Sequence, residues 1–241
     1  MSTESGRLRL FPLNTVLFPG ASLSLHIFEP RYKQMIAECL AGGEAFGVVL
    51  IRDGDEAGDP NIVPHRIGTT AEIADVRHLE QGRYYLTTLG KRRFRIERII
   101  EREPFMLVDV SYLADDELTD PPAVGELVVE IGRVFREYLS LLVEFSGLNA
   151  EIQLPDDPNE ASFLIGDALQ VGDAMKQRLL EITSTQQRLT VELSFLRRLL
   201  PQLRALLERK RESPPSERSD APGGEFRSFQ EKFFGKHFSM N

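Results

Sequence analysis

Up to Leu113 the apolar residues of this chain recur at every second position, and beyond Pro122 they recur at every third or fourth. That switch limits the fold more than any other feature, because strands gathered in one half and helices in the other make an α+β protein. Residues 8–11 and 22–27 alternate as half-buried strands do, 46–51 is a buried-strand run, and 105–113 is extended after Pro104. Three further extended segments, 69–79, 83–89 and 91–100, are separated by Gln81-Gly82 and by Gly90. Links this short make hairpins and leave no room for parallel crossovers, so the expected N-terminal lobe, 1–114, is an antiparallel, barrel-like sheet. One short helix interrupts it over 30–40, where Tyr32, Met35, Ile36, Cys39 and Leu40 keep helical spacing and Gly42-Gly43 supplies the stop. Over 92–98 the alternation points Phe94 and Ile96 inward and leaves the arginines on the wet face.

The acidic, Pro-bearing stretch 115–122 is the expected internal seam, and a helical bundle is expected over 115–212. Leu127, Ile131, Val134, Tyr138, Leu142 and Phe145 form one stripe. Asp157-Pro158-Asn159-Glu160 and Ser184-Thr185-Gln186-Gln187 read as helix starts, each with an oxygen-bearing cap residue, and Asp173 opens a further helix between them. In the last helix Leu189, Leu193, Leu196, Leu200, Leu203 and Leu207 alternate steps of four and three. Pro201 is expected to kink this helix or end its regular part, and the leucine seam is expected to pack inside the bundle rather than to form a dimer.

Residues 213–241 form a third region. It opens as a Pro/Gly/Ser-rich linker with nothing to bury, yet five of the fifteen Phe follow it, at Phe226, Phe229, Phe233, Phe234 and Phe238. Such a segment is expected to dock, either on its own domain or on a partner protein.

The chemistry of many enzyme classes is missing from the sequence. A net charge of −8 and a pI near 5.2 argue against nucleic acid as a partner, and no apolar run approaches the roughly 18 residues of a membrane span. The single cysteine, Cys39, fits a reducing compartment, so the expected location is cytoplasmic. Gly90-Lys91 lacks the rest of a phosphate-binding loop, and Ser22 lacks the second glycine of a nucleophile elbow. His26, His65, His78 and His237 are too far apart in sequence for a local metal pair. The expectation is a non-enzymatic protein with no cofactor, no metal and no catalytic residue. The competing reading is a hydrolase whose site is assembled through space from Ser, His and Asp residues, tested by replacing His78 or Cys39.

The run Phe11-Pro12-Leu13-Asn14-Thr15-Val16-Leu17-Phe18-Pro19-Gly20, followed by Leu23, Leu25 and Ile27-Phe28-Glu29-Pro30-Arg31-Tyr32, resembles the opening motif of the Lon protease N-terminal domain family. The resemblance continues through Phe46-Gly47-Val48-Val49, Gly68-Thr69, Ala71-Glu72-Ile73, Gly82-Arg83-Tyr84-Tyr85 and Gly90-Lys91-Arg92-Arg93-Phe94. It reaches into the helices at Leu154-Pro155 and Ser162-Phe163. Most of these residues are expected to be scaffold, with Phe11, Leu17, Phe18, Ile27 and Phe28 sealing the sheet and Glu29 pairing with Arg31.

The resemblance implies a β-rich lobe joined to a helical bundle, and a part in recognising unfolded or tagged polypeptides. It transfers binding and withholds ATP hydrolysis and proteolysis, whose domains lie farther along a full Lon chain. The expected function is therefore a stand-alone polypeptide- or protein-binding module, an adaptor or sensor that holds an extended segment in a cleft between sheet and bundle. Phe28, Tyr32, Tyr84 and Tyr85 are the expected wall residues, since aromatic faces give large contact area at low entropic cost. An exposed sheet edge offers a second mode, the addition of a peptide strand through main-chain bonds. The alternative places the function in the Phe-rich tail.

Overall fold

A computed structural model of the chain describes residues 4–54, 61–146 and 153–212. In order they form β1 (Ser5–Leu13), β2 (Ser22–Ile27), α1 (Pro30–Gly42), β3 (Phe46–Asp53), β4 (Val63–Pro64), β5 (Ile67–Leu79), β6 (Arg83–Glu101) and β7 (Leu107–Tyr112). Four helices follow, α2 (Pro121–Ser146), α3 (Pro158–Ala168), α4 (Asp173–Glu181) and α5 (Thr185–Glu212). The fold is α+β, as expected. Phe226, Phe229, Phe233, Phe234 and Phe238 lie outside the described residues.

The chain divides into two compact units. The first holds every strand, α1 and Gly166–Thr183; the second holds Glu117–Ile165 and α5. This differs from the expected division at 114, because α4 groups with the strands and not with the other helices. The cause is polar. The Arg93 guanidinium donates to the carbonyls of Leu180 at 2.6 Å and Ile182 at 2.8 Å, where α4 leaves its last acceptors open, and to Asp115 Oδ1 at 2.8 Å. Gln177 Nε2 donates to the carbonyl of Ile67 at 3.0 Å. Arg93 is only 2% exposed, which corrects the expectation that every arginine of this stretch lies on the wet face.

In the first unit β1, β7, β6, β5 and β3 follow one another around a closed path. The path closes because β1 pairs antiparallel with β7 over 5–9 and parallel with β3 over 10–13. The parallel pair departs from the all-antiparallel expectation; it needs a long connection, which β2 and α1 supply. β6 runs unbroken through Gly90, where a break was expected. A Cβ on Gly90 would lie 2.2 Å from the Phe18 carbonyl oxygen, so the glycine serves a close backbone approach. Its N–H donates to Ala21 at 2.8 Å and its carbonyl accepts from Gly20 at 2.9 Å.

One apolar cluster, with Leu8, Leu10, Val49, Phe94, Ile96, Val108 and Val110, fills the closed sheet. A second gathers Phe11, Leu13, Leu17, Leu23, Leu25, Ile27, Phe46 and Leu86 against α1. Helix α1 starts at Pro30, which lacks an N–H where none is needed, and stops at Gly43 with φ +62°. It buries Tyr32, Met35, Ile36 and Cys39, and each large side chain so buried contributes about 1.5–3 kcal/mol.

In the second unit the heptad leucines of α5 are all buried, and Ile131, Val134, Tyr138 and Leu142 of α2 are buried with them. Arg197, Arg204 and Arg211 pair with Glu130, Glu137 and Glu144. Both sets advance by seven residues in the same direction, so α2 and α5 run parallel and the leucine seam is internal to the unit. Helix α5 continues through Pro201 instead of ending there. Asp157 Oδ1 caps α3 by accepting from the amides of Asn159 and Glu160, both at 2.9 Å. Ser184 Oγ accepts from Gln187 N–H at 3.3 Å at the start of α5.

Candidate functional site

Strand β2, Ser-Leu-Ser-Leu-His-Ile, buries Leu23, Leu25 and Ile27 and turns Ser22, Ser24 and His26 the other way. Its antiparallel register with β6 sets His26 opposite Tyr85, and the β5–β6 register sets Arg77 opposite the same tyrosine. Directly opposed residues share a face, so His26, Tyr85 and Arg77 form one outward row. The next row carries Leu79 opposite Arg83. Phe28, just past β2, is 59% exposed, with its ring 5.8 Å from that of His26. Leu79 is 40% exposed. This outward face therefore concentrates apolar and aromatic surface at the free end of the β5–β6 hairpin.

The hairpin end is rigidly made. Gln81 at φ 61° and Gly82 at φ 68° form the turn, the Arg83 Nε donates to the Glu80 carbonyl at 3.1 Å, and Lys33 Nζ reaches from α1 to the Gln81 carbonyl at 3.1 Å. Arg77 Nε lies 3.7 Å from Asp75 Oδ2. Lys33, Arg77 and Arg83 thus outnumber Asp75 and Glu80 around the apolar patch.

The expected wall residues do not share one surface. Phe28 and Tyr85 reach the outward face, and Phe28, expected to seal the sheet, is instead the most exposed of the expected aromatics. Tyr84 pairs with Ile27 on the opposite side of β6, packs against the second core cluster and meets His78 edge-on at 5.2 Å. Tyr32 is 5% exposed, with its ring 4.1 Å from Phe11 and the Arg31 guanidinium 4.5 Å from it. It is a core residue. The expected Glu29–Arg31 pair is present at 2.9 Å. His26, Arg77 and Leu79 were not among the expected wall residues; alternation marks the outward residues of each strand, but only the register shows which of them meet.

Two other places hold concentrated polar groups. A groove of about 1320 Å³ is lined by Arg7, Arg92, Arg95, Glu97, Asp109 and Tyr112 among others. Its charges are largely satisfied internally: Arg92 grips both oxygens of Glu4, and Asp109 accepts from Arg98 at 2.6 Å and Arg7 at 3.3 Å. Hydrogen bonds from these arginines hold the Glu4 and Asp109 carboxyls below their ordinary range. In the second unit Arg188, Ser162 and Glu192 are fully buried, with Arg188 Nε donating to Ser162 Oγ at 2.7 Å and Ser162 Oγ lying 3.0 Å from both Glu192 oxygens.

The two residues singled out for a hydrolase lie in different surroundings. Cys39 is buried, and burial pushes its thiol up to about 11, so little thiolate exists at neutral pH. His78 is exposed and rests against Tyr84. Among the described residues no helix is long and apolar enough to cross a membrane.

Residues 7–198 match the family model of the ATP-dependent protease La (LON) substrate-binding domain. The chain belongs to that family. Among curated relatives of this Lon substrate-binding domain, a Lon protease of Anaeromyxobacter dehalogenans is 25% identical over 194 residues, and Lon protease 2 of Myxococcus xanthus is 26% identical over 194. Each alignment covers 79% of this chain and 23% of the relative, so the chain spans about a quarter of the length of those proteases. Among solved structures, the Lon N-terminal domain protein from Xanthomonas campestris superposes with a TM-score of 0.59 at 29% identity, covering 78% of this chain and 98% of that one. The N-terminal domain of Mycobacterium avium complex Lon protease shares the fold, with a TM-score of 0.56 at 18% identity over 79% of this chain and 98% of that one.

Proposed function

We propose that this Lon substrate-binding domain is a non-catalytic polypeptide-binding module that captures extended or partly unfolded segments, as an adaptor or sensor for proteins bound for degradation. The observation that carries the reading is the outward face of β2, β6 and β5, where Phe28, Leu79, His26 and Tyr85 offer apolar surface on a domain of a substrate-binding family. Monomeric proteins leave patches of this kind exposed chiefly where something binds. Aromatic anchors of this type supply most of the energy of small interfaces.

The test is fluorescence anisotropy of a labelled, permanently unfolded polypeptide titrated with the full chain. Saturable binding at tens of micromolar is expected, corresponding to about −6 kcal/mol. Phe28→Asp weakens it about tenfold or more, the scale of losing one interface anchor. Tyr32→Phe, a change inside the core, leaves it within about twofold. Absence of binding by the folded chain, or equal binding by Phe28→Asp, defeats the reading.

The five phenylalanines at 226–238 support a second reading, in which the tail recruits a partner protein. A chain ending at Glu212 separates the two: binding of the unfolded probe that disappears with the tail belongs to the tail, and binding that persists belongs to the described fold.

A further inference from the structure

We propose that residues 226–238 fold back on the helical unit and pack as a further helix along one side of the α2–α5 seam, the side away from the ion-pair ladder. This place for the Phe-rich tail goes beyond the polypeptide-binding reading above and is independent of it.

The seam has two unlike sides. Arg197 and Arg204 each follow a seam leucine by one residue, while Glu130 and Glu137 each precede a seam residue of α2 by one, so their pairs close one side. Leu199 and Leu206 instead precede Leu200 and Leu207, and Gly132 and Leu139 follow Ile131 and Tyr138. A helix turns about 100° per residue, so these four positions flank the seam on its other side. That side carries no charge at any of the four.

Helix α3 covers only the beginning of it. The Thr185 hydroxyl donates to Asn159 Oδ1 at 3.3 Å, and Ser162 Oγ lies 2.7 Å from Arg188 Nε and 3.0 Å from Glu192 Oε1. Leu154, just before α3, comes within 3.3 Å of where a Cβ on Gly132 would stand. Arg188, Glu192, Leu199 and Leu206 follow one another at steps of four, seven and seven, so they share one face of α5. Helix α3 has 11 residues, about 16 Å, and starts beside Thr185, whereas α5 has 28, about 42 Å. The face therefore runs on past α3. One heptad beyond Gly132 and Glu192 it continues as Leu139 and Leu199, both half-buried, and one heptad farther as Leu206, which is 43% exposed.

The chain carries an occupant of matching size directly after α5. Phe226, Phe229 and Phe233 are spaced by three and four residues, and Phe234 and Phe238 by four. On a helix all five fall within about half of the circumference, with Gly235 on the opposite half. One flat wall takes a stripe of about 100°, so a face this wide fits a groove with two walls, one from each helix of the seam. From Phe226 to Phe238 such a helix is about 18 Å long, and α5 runs about 20 Å from Leu199 to its end at Glu212. Residues 213–225, with Pro214, Pro215, Gly223 and Gly224, have only to reverse the chain. Packed helices lie about 8–10 Å apart, and a flexible linker of this length spans about 20 Å. The tether holds the tail at an effective concentration in the millimolar range, which favours its own groove over that of a second copy at micromolar protein. A helix this short is marginal alone in water, so it forms as it docks.

A nitroxide on Ser228→Cys, on the side of the tail away from the phenylalanines, tests this in the full chain. Cys39 is buried with its thiol pushed up to about 11, so the label goes to the introduced cysteine. The methyl signals of Leu139, Leu199 and Leu206 are expected to broaden, and to the same extent after tenfold dilution. Leu206→Asp, at a half-exposed position, is expected to abolish the broadening and to speed amide exchange over 226–238 at least tenfold, with the Leu196 methyls of the seam unmoved. Three outcomes overturn the proposal: no broadening of these leucines, broadening centred on Leu79 of the sheet face, or broadening unchanged by Leu206→Asp. Broadening that appears only between a spin-labelled chain and a separate isotope-labelled one assigns the groove to a second copy and overturns it as well.

Discussion

Arg93 stands between exposed Arg92 and buried Phe94, and three hydrogen bonds from its guanidinium go to the end of α4 and to Asp115. Arg93→Ala leaves two carbonyls and a carboxylate without their donor, and the expected loss is about 3 kcal/mol, the lower end for a broken buried pair because Asp115 keeps some solvent. Arg93→Lys restores the charge without the fork and recovers about half of it. Urea unfolding measures the loss, and hydrogen exchange locates it in α4; a loss below about 0.5 kcal/mol shows that the anchor is energetically idle. The alternation of 92–98 correctly marks Phe94 and Ile96, but it does not show that an arginine has acceptors inside the fold. Those acceptors lie some ninety residues away in sequence. Glu192 makes a different prediction. Burial raises its carboxyl well above the ordinary 4.5, against the opposing pull of Arg188 and the Ser162 hydroxyl. The native state then holds a proton that the unfolded chain has released, so the contribution of this group to stability is greatest below about 4.5 and falls as pH climbs toward the raised value. Glu192→Gln removes that ionisation and keeps a polar group beside Ser162. Thermal melts across this range are expected to slope downward for the parent and to flatten for the variant; parallel slopes overturn the assignment.

Helices α2 and α5 carry two kinds of contact along one seam, and their magnitudes differ. The side chains of the pairs Glu130–Arg197, Glu137–Arg204 and Glu144–Arg211 are between 38% and 67% exposed, and pairs of this kind contribute about 0.2–1 kcal/mol each. Leu196 is fully buried, and Leu→Ala at such a position costs about 2–5 kcal/mol. Neutralising all three glutamates as Glu→Gln is therefore expected to cost less than Leu196→Ala alone, and the charge effect shrinks with added salt. Denaturant midpoints of the two variants at low and high salt decide it, and the reverse order makes the ladder the dominant contact. The leucine spacing was legible because a heptad follows from helix geometry. The expectation that it packs inside the bundle is met by α2, although the spacing alone does not name which helix receives it. Gly90 was misread for a similar reason: glycine marks both a strand break and a close backbone approach, and only the carbonyl of Phe18 distinguishes them.

The first unit is discontinuous in sequence, and this is the largest feature that reading along the chain leaves out. The switch in periodicity near residue 115 correctly separates strands from helices, and the opening motif points to the correct family, but neither shows that Gly166–Thr183 returns to the strands. Secondary structure follows from local spacing; membership of a packed unit depends on contacts that local spacing does not encode. Polar links join this segment to the rest of its unit, among them Arg93 to Leu180 and Ile182, Gln177 to Ile67, Thr183 Oγ1 to Asp116 Oδ2 at 3.0 Å, and the Asp116 N–H to the Thr183 carbonyl at 3.1 Å. Leu179 and Leu180 are also buried. A fragment ending at Ala114, the boundary that periodicity favours, keeps every strand but loses these acceptors and this apolar cover. Its Arg93 guanidinium is left without its α4 acceptors, a cost of several kcal/mol against a total domain stability of about 5–15. The expected result is a fragment with poorly dispersed amide resonances that sharpens when a peptide spanning 166–183 is added in trans. A fragment that gives a dispersed spectrum alone, unchanged by the peptide, shows instead that the sheet is self-sufficient and that α4 only decorates it.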